Sequence, residues 1–139
     1  MERGDLTVDD RPGTVFVFDG LIATCFRPKA EKWAVRRHHW EDALEYWAFD
    51  VRVCNYMHEL MSRYNVPVEV ITWHPHGFSR VLSDRLWDME LPVRDVIGGD
   101  FKNLQQNLAM DKTVSTVYDP DPHHRYSYGY KVREVNWNG

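Results

Sequence analysis

The chain has 139 residues and a mass of 16.5 kDa, which is enough for one domain with a substantial core but not for two. Its 43% hydrophobic and 27% charged residues exclude wholesale disorder and collagen-like architectures. A net charge of −4 argues against a general nucleic-acid binder that works through a phosphate-neutralising surface. The local basic cluster Arg36, Arg37, His38 and His39 could still contact an anionic partner, although a solvated turn is the simpler interpretation.

Three sequence features bear on the cellular compartment. No apolar run approaches the roughly 20 residues that a membrane-spanning helix needs. The N-terminal segment MERGDLTVDDRPG is polar and has no apolar core of a secretory signal. Two cysteines, Cys25 and Cys54, are too few for a disulfide framework. We therefore expect a cytoplasmic, single-domain protein spanning residues 1–139, in which residues 1–13 form a mobile polar lead.

The first half of the chain contains one strand pattern and one long helix pattern. Residues 14–18 (TVFVF) form a continuous β-branched and aromatic run, typical of a strand that is buried on both faces, and Asp19-Gly20 stops it. Residues 24–39 are basic and are predicted to be irregular. Apolar residues then recur at three- and four-residue steps over residues 40–61, which predicts a single long amphipathic helix.

The second half alternates strand and helix patterns. Strands are predicted at residues 66–72, 93–97, 113–118 and 128–135, and helices at residues 78–89 and 101–109. Alternation of this kind predicts an α/β fold, in which helices cover both faces of an open, mainly parallel sheet.

Acids and a hydroxyl stand at the ends of three predicted strands. Asp19 follows the first strand, Thr72 closes the next, and Asp119 and Asp121 follow the strand at residues 113–118. The carboxyl ends of parallel strands meet at one edge of a sheet, where ligands bind. Carboxylates there favour Mg²⁺, and a hydroxyl with a lysine would suit a phosphate group. Plain turn chemistry is the alternative interpretation of these acids.

A lysine and two histidines could complete such a site. Lys102 begins a predicted helix and is better placed than Lys112 to reach the strand ends. His74 and His76 follow the strand that ends at Thr72, and they could bind a phosphate or donate a proton. The histidines lack the spacing of a zinc site, and no Cys-x-x-Cys pair is present.

The order of these elements and their end residues resembles the haloacid dehalogenase (HAD) superfamily. The resemblance rests on VFVFDGLI at residues 15–22, VIT at residues 70–72, Lys102, and VYD at residues 117–119. The segment VEVITWHPHGFSRVLSDRLWDMELP is especially similar to HAD-like proteins of actinobacteria and their phages. The resemblance covers roughly residues 12–125. It implies a Rossmann-like three-layer sandwich, and the segment before the long helix is too short for a substantial cap domain.

The resemblance is incomplete at the family's first motif. Family phosphatases carry Asp-x-Asp-Gly, in which the first Asp attacks phosphorus and the second is the general acid and base. The favoured alignment matches Asp19-Gly20 to the second half of that motif, which leaves Val17 at the nucleophile position. The other alignment makes Asp19 the nucleophile and leaves Leu21 at the acid–base position. Half of the acid pair is missing in either alignment.

The remaining assignments are those that the resemblance implies. Thr72 corresponds to the phosphate-binding hydroxyl and Lys102 to the stabilising lysine, while Asp19 and Asp119, with Asp121 as a substitute, would hold weakly bound Mg²⁺. These assignments imply a degenerate, catalytically impaired domain that binds a protein partner or a phosphorylated ligand, such as a small molecule or a nucleic-acid end. Two alternatives stay open: a Mg²⁺-dependent phosphohydrolase that uses Asp19, and a non-enzymatic α/β interaction protein. The sequence leaves the oligomeric state open.

Overall fold

The structure is a computed structural model that describes residues 13–121 and the backbone of residues 132 and 133. The described strands are β1 (Gly13–Val17), β2 (Ala23–Cys25), β3 (Trp47–Phe49), β4 (Val68–Thr72), β5 (Asp95–Gly98), β6 (Val114–Tyr118) and β7 (Val132–Arg133). The described helices are α1 (Pro28–Arg36), α2 (Trp40–Leu44), α3 (Val51–Ser62), α4 (His76–Asp88) and α5 (Phe101–Met110).

The main sheet has the order β5-β4-β1-β6-β7, and its strands run parallel. Strand β1 lies at its centre, with Val17 opposite Ile71 of β4 and Phe16 opposite Tyr118 of β6. All five residues of β1 are buried, as the uninterrupted apolar run predicts. The predicted α/β class with a mainly parallel central sheet is therefore confirmed.

Alternation along β1 divides the core between the two faces of the sheet. Phe16 and Phe18 belong to a large apolar cluster that includes side chains of α3 and α4, such as Met57 and Phe78. Val15 and Val17 belong to a smaller cluster on the other face: Val15, Val17, Ile71, Leu108, Val114 and Val117. Because side chains of one strand point alternately to opposite faces, a single buried strand supports both helix layers.

The predicted single helix over residues 40–61 is wrong. The structure divides that segment into α2, β3 and α3. The side chain of Asp50 accepts hydrogen bonds from the backbone N–H groups of Arg52 and Val53, so it caps the start of α3. Strand β3 pairs with β2 in antiparallel orientation. The stripe at three- and four-residue spacing therefore combines core residues from a helix, a strand and another helix.

The prediction that residues 24–39 are irregular is also wrong. Strand β2 and helix α1 occupy most of this segment, and Pro28 is the first residue of α1. Proline fits there because the first backbone N–H of a helix has no acceptor within the helix. Between β2 and β3 the chain forms only α1 and α2, so the described residues include no large cap domain over the sheet.

The other predicted strands and helices agree with the structure to within a few residues at their ends. The predicted strand at residues 128–135 is described only at residues 132 and 133, and the polar lead at residues 1–12 lies outside the described residues. Cys25 and Cys54 are free thiols. No helix among the described residues is long and apolar enough to cross a membrane.

Replacement of Gly77 by alanine tests the packing of α2 on α4. A β-carbon at Gly77 would collide with the indole of Trp40. We expect Gly77→Ala to lower the free energy of unfolding by about 1–3 kcal/mol, as overpacking does, although alanine is the better helix former. Urea denaturation measures the effect. The matched change Ser83→Ala on the same helix should stay within about 0.5 kcal/mol of wild type, and an equally stable Gly77→Ala protein would contradict the packing.

Candidate functional site

The turn after β1 places Asp19 at the carboxyl edge of the central sheet. Backbone N–H groups of Ile22 and Ala23 donate back to the carbonyls of Val17 and Phe18, at 3.4 and 3.2 Å. Gly20 has φ +89°, a left-handed conformation that glycine adopts without steric cost. The strand therefore ends in a tight turn that holds the Asp19 side chain beside the end of β4.

The carboxylate of Asp19 is bound by groups at the end of β4. Thr72 Oγ1 donates to Asp19 Oδ1 at 2.9 Å, and the backbone N–H of Trp73 donates to the same oxygen at 3.1 Å. His74 Nδ1 lies 3.0 Å from Asp19 Oδ2. Both oxygens of Asp19 therefore already have partners within the protein.

His74 bridges two carboxylates that come from different parts of the chain. Its Nε2 lies 2.7 Å from Glu31 Oε2, while its Nδ1 faces Asp19 and also lies 2.8 Å from Thr72 Oγ1. Since Thr72 gives its only hydroxyl proton to Asp19, its oxygen accepts from Nδ1. Nε2 faces a carboxylate oxygen of Glu31, which can only accept a hydrogen bond. Both ring nitrogens then carry protons, so the geometry indicates an imidazolium.

Glu31 enters the site from α1, and the sequence analysis missed it. Its Oε2 also accepts a hydrogen bond from Trp47 Nε1 at 3.1 Å, and its side chain is 11% exposed. One sequence signal could have found it. Glu31 is the sole acid between residues 27 and 37, and it lies on the same helix face as Ala34. An acid on the apolar side of a basic helix indicates a buried partner.

Aromatic rings enclose the His74 imidazole. The ring stacks on Phe78 with centroids 4.0 Å apart, and Trp47 meets it edge-on at 5.4 Å. Burial of His74 lowers its pKa, but the hydrogen bonds and negative charges of Asp19 and Glu31 outweigh this effect, so the pKa of His74 is raised above its ordinary value. The protonated form is the one that the two carboxylates stabilise.

Asp19, Thr72 and His74 thus lie in direct contact. The side chains of the other predicted site residues have different surroundings. Val17 ends β1, but its side chain is buried in the smaller apolar cluster. Lys102 is exposed on α5, where it lines a surface depression with Asp100 and Gln106. His76 is exposed at the first position of α4.

Asp119 and Asp121 follow β6, which pairs with β1 on the side opposite β4. Asp119 is buried, and one of its carboxylate oxygens accepts the backbone N–H of Asp121 at 2.8 Å. A β-carbon on Gly20 would stand 3.6 Å from Pro120 Cγ, so this segment lies against the turn after β1.

The described residues contain no preformed cluster of magnesium ligands. Within residues 13–121, no three His, Cys, Asp or Glu side chains are grouped so that they could hold a metal ion. Both oxygens of Asp19 are engaged by Thr72, Trp73 and His74, and an imidazolium beside a carboxylate repels a cation. Asp19, Asp119 and Asp121 are therefore not grouped as a three-carboxylate site among the described residues, and their role in holding Mg²⁺ stays a prediction.

Comparison with known proteins adds little to this geometry. No protein-family model matches the chain, and no curated protein matches it either. A solved structure from Vibrio cholerae, provisionally identified as a 3-deoxy-D-manno-octulosonate 8-phosphate phosphatase, aligns with a TM-score of 0.45 and 12% sequence identity. The alignment covers 89% of this chain and 65% of that one, so the chain spans less than two thirds of that protein. A similarity this distant carries no functional argument.

The titration of His74 tests the bridged geometry. We expect its imidazole to titrate above the ordinary value of 6.5, because the two carboxylates stabilise the proton. Replacement Glu31→Gln should lower the pKa of His74, since an amide accepts a hydrogen bond without carrying charge. Nuclear magnetic resonance of the histidine ring protons measures both values. A wild-type pKa at or below 6.5, or no change in the variant, would contradict the bridge.

The same linkage gives an expected pH dependence of stability. His74 binds its proton more tightly in the folded than in the unfolded chain, so its contribution is complete below the ordinary pKa of 6.5 and is lost as pH rises through the folded-state pKa. Urea denaturation of wild type and Glu31→Gln across this range should show stability falling more steeply with pH in wild type. Parallel curves would count against the bridge.

Proposed function

We propose that the chain is a HAD-like domain without efficient phosphatase chemistry, which acts by binding a protein partner or a phosphorylated ligand that it contacts away from Asp19. The parallel sheet and the resemblance of its strand-end residues to the HAD superfamily support the fold assignment.

The observation that carries the proposal is the engagement of Asp19. The Thr72 hydroxyl and the Trp73 amide, which are the kind of donors that an oxyanion needs, both point to Asp19 Oδ1. Asp19 therefore occupies the position where a phosphoryl oxygen would be bound. A carboxylate whose two oxygens both have partners, one of them an imidazolium, is also a weakened nucleophile.

The nucleophile position of the favoured alignment supports the same conclusion. Val17 has no nucleophilic atom, and its side chain packs with Ile71 and Val117 rather than toward solvent. The resemblance places Mg²⁺ in such domains, and the lack of a grouped ligand set in residues 13–121 supports weak metal binding.

One observation favours the alternative of a phosphohydrolase that uses Asp19. The alignment with Asp19 as nucleophile lacks an acid for the leaving group, and His74 Nδ1, which the geometry indicates is protonated, lies 3.0 Å from Asp19 Oδ2. A protonated imidazole at that distance could supply the missing proton. This reaction would require Asp19 to leave its present hydrogen bonds and the exposed Lys102 to approach the substrate.

Phosphate release from a mixed panel of substrates tests the proposal. The panel contains nucleotides, sugar phosphates, and oligonucleotides with 5′- or 3′-terminal phosphates, each with and without Mg²⁺. We expect no release above background from wild type, because Asp19 is engaged and Val17 cannot attack phosphorus.

Asp19→Asn is the matched control for this assay. It keeps the side-chain size and an acceptor for Thr72, so it separates chemistry from packing. Release that needs both Mg²⁺ and Asp19 would overturn the proposal and establish the phosphohydrolase. Equal low release by both proteins would indicate a contaminating phosphatase and would agree with the proposal.

A further inference from the structure

Helix α1 has two faces of opposite character. Glu31 and Ala34 face the protein interior, and Glu31 is fixed there by His74. The exposed face carries four residues at the three- and four-residue spacing that forms one helical stripe. We call this surface the α1 stripe: Lys29, Lys32, Trp33 and Arg36.

The α1 stripe concentrates positive charge on an acidic protein. Five of the chain's 17 lysines and arginines lie between residues 27 and 37, against one acid, Glu31, which is already bound inside. In the described part of the chain none of these five cations is in an ion pair, whereas Arg63, Arg85 and Arg94 each pair with a glutamate. Unpaired cations in a row are complementary to a polyanion.

Exposed aromatic rings lie among these cations. Trp33 is 54% exposed, and the Arg37 guanidinium lies 4.1 Å from its ring centroid. Phe26, just before the helix, is 57% exposed. Rings between cations are the arrangement that holds unpaired bases, because the bases stack while phosphates bind the charges. A membrane-binding helix would need a broad aliphatic face, which the α1 stripe lacks.

The surface beside α1 is acidic and disfavours an anionic strand. A neighbouring depression between α2 and α4 is lined largely by acids: Glu41, Asp42, Glu45, Asp84 and Asp88. Arg85 also lines it and pairs with Glu45, but the remaining acids repel phosphates and so favour the α1 stripe over that side for an anionic strand.

We propose that the α1 stripe binds single-stranded nucleic acid, with phosphates on Lys29, Lys32 and Arg36 and a base stacked on Trp33. The inference takes from the proposed function only the idea that the chain works by binding. The α1 stripe and Asp19 are separate surfaces, so phosphatase activity and oligonucleotide binding are independent results, and the failure of either proposal can be recognised by itself.

Fluorescence anisotropy of a labelled 20-nucleotide single strand tests this inference. The full chain should bind the strand, and the logarithm of the binding constant should fall with the logarithm of salt concentration with a slope of about −2, as for three neutralised phosphates on a single strand. A labelled duplex of the same sequence should bind more weakly, because its bases cannot stack on Trp33. Equal binding of strand and duplex would overturn the inference.

Two pairs of charge-reversal variants separate the α1 stripe from overall charge. Lys32→Glu with Arg36→Glu should weaken binding by about tenfold or more and make the salt slope shallower. Arg80→Glu with Lys112→Glu makes the same change in net charge on exposed residues outside the α1 stripe and should leave binding within about twofold. Equal losses in the two pairs would contradict the assignment, and circular dichroism confirms that each variant is folded.

Substitutions of Trp33 test the stacking contact. Trp33→Ala should weaken binding about fivefold or more, while Trp33→Phe should keep most of it, because either ring can stack on a base. An unchanged Trp33→Ala protein would overturn the stacking role. Vesicles containing phosphatidylserine and a polyglutamate competitor complete the test. Binding to either as tight as to the strand would replace nucleic acid by a membrane or a general polyanion.

Discussion

The contact on which the site depends is the bridge of His74 between Asp19 and Glu31. A mostly buried imidazolium needs counter-charge, and the two carboxylates at 3.0 and 2.7 Å supply it. These three side chains come from the turn after β1, the end of β4 and helix α1, so one charged cluster fixes α1 against the carboxyl edge of the sheet. Trp47 and Phe78 enclose the cluster with apolar surface and so strengthen its electrostatics.

The bridge connects Asp19, at the carboxyl edge of the sheet, to helix α1. Inside, Asp19 is held by the donors that would otherwise face a phosphate, which disfavours both phosphate binding and phosphoryl transfer at this edge. Outside, fixing the buried face of α1 through Glu31 keeps its cationic face toward solvent in a constant orientation. A rigid helix that presents charges and a ring loses little conformational entropy when a ligand binds. The two proposals therefore concern separate surfaces, the sheet edge at Asp19 and the exposed face of α1, which the bridge through Glu31 connects.

The sequence predicted the parts of the fold that local pattern determines. Strand β1 has a continuous apolar run, and α4 has a clear helical period, so both were found within a few residues. The helix predicted over residues 40–61 failed because Asp50 caps a new helix there and because β3 pairs with β2. Asp19 and Thr72 were found because strand ends converge in parallel sheets. Glu31 was missed because its partner lies 43 residues away, and no local period shows that contact.

The binding of inorganic phosphate to wild type and to Asp19→Ala, measured by calorimetry, tests most directly whether Asp19 occupies an anion site. The substitution removes the carboxylate and leaves the Thr72 hydroxyl, the Trp73 amide and the His74 imidazolium directed at the same space. The account predicts no saturable binding by wild type and measurable binding by the folded variant. Phosphate binding by wild type that is equal to or tighter than that of the variant would contradict it.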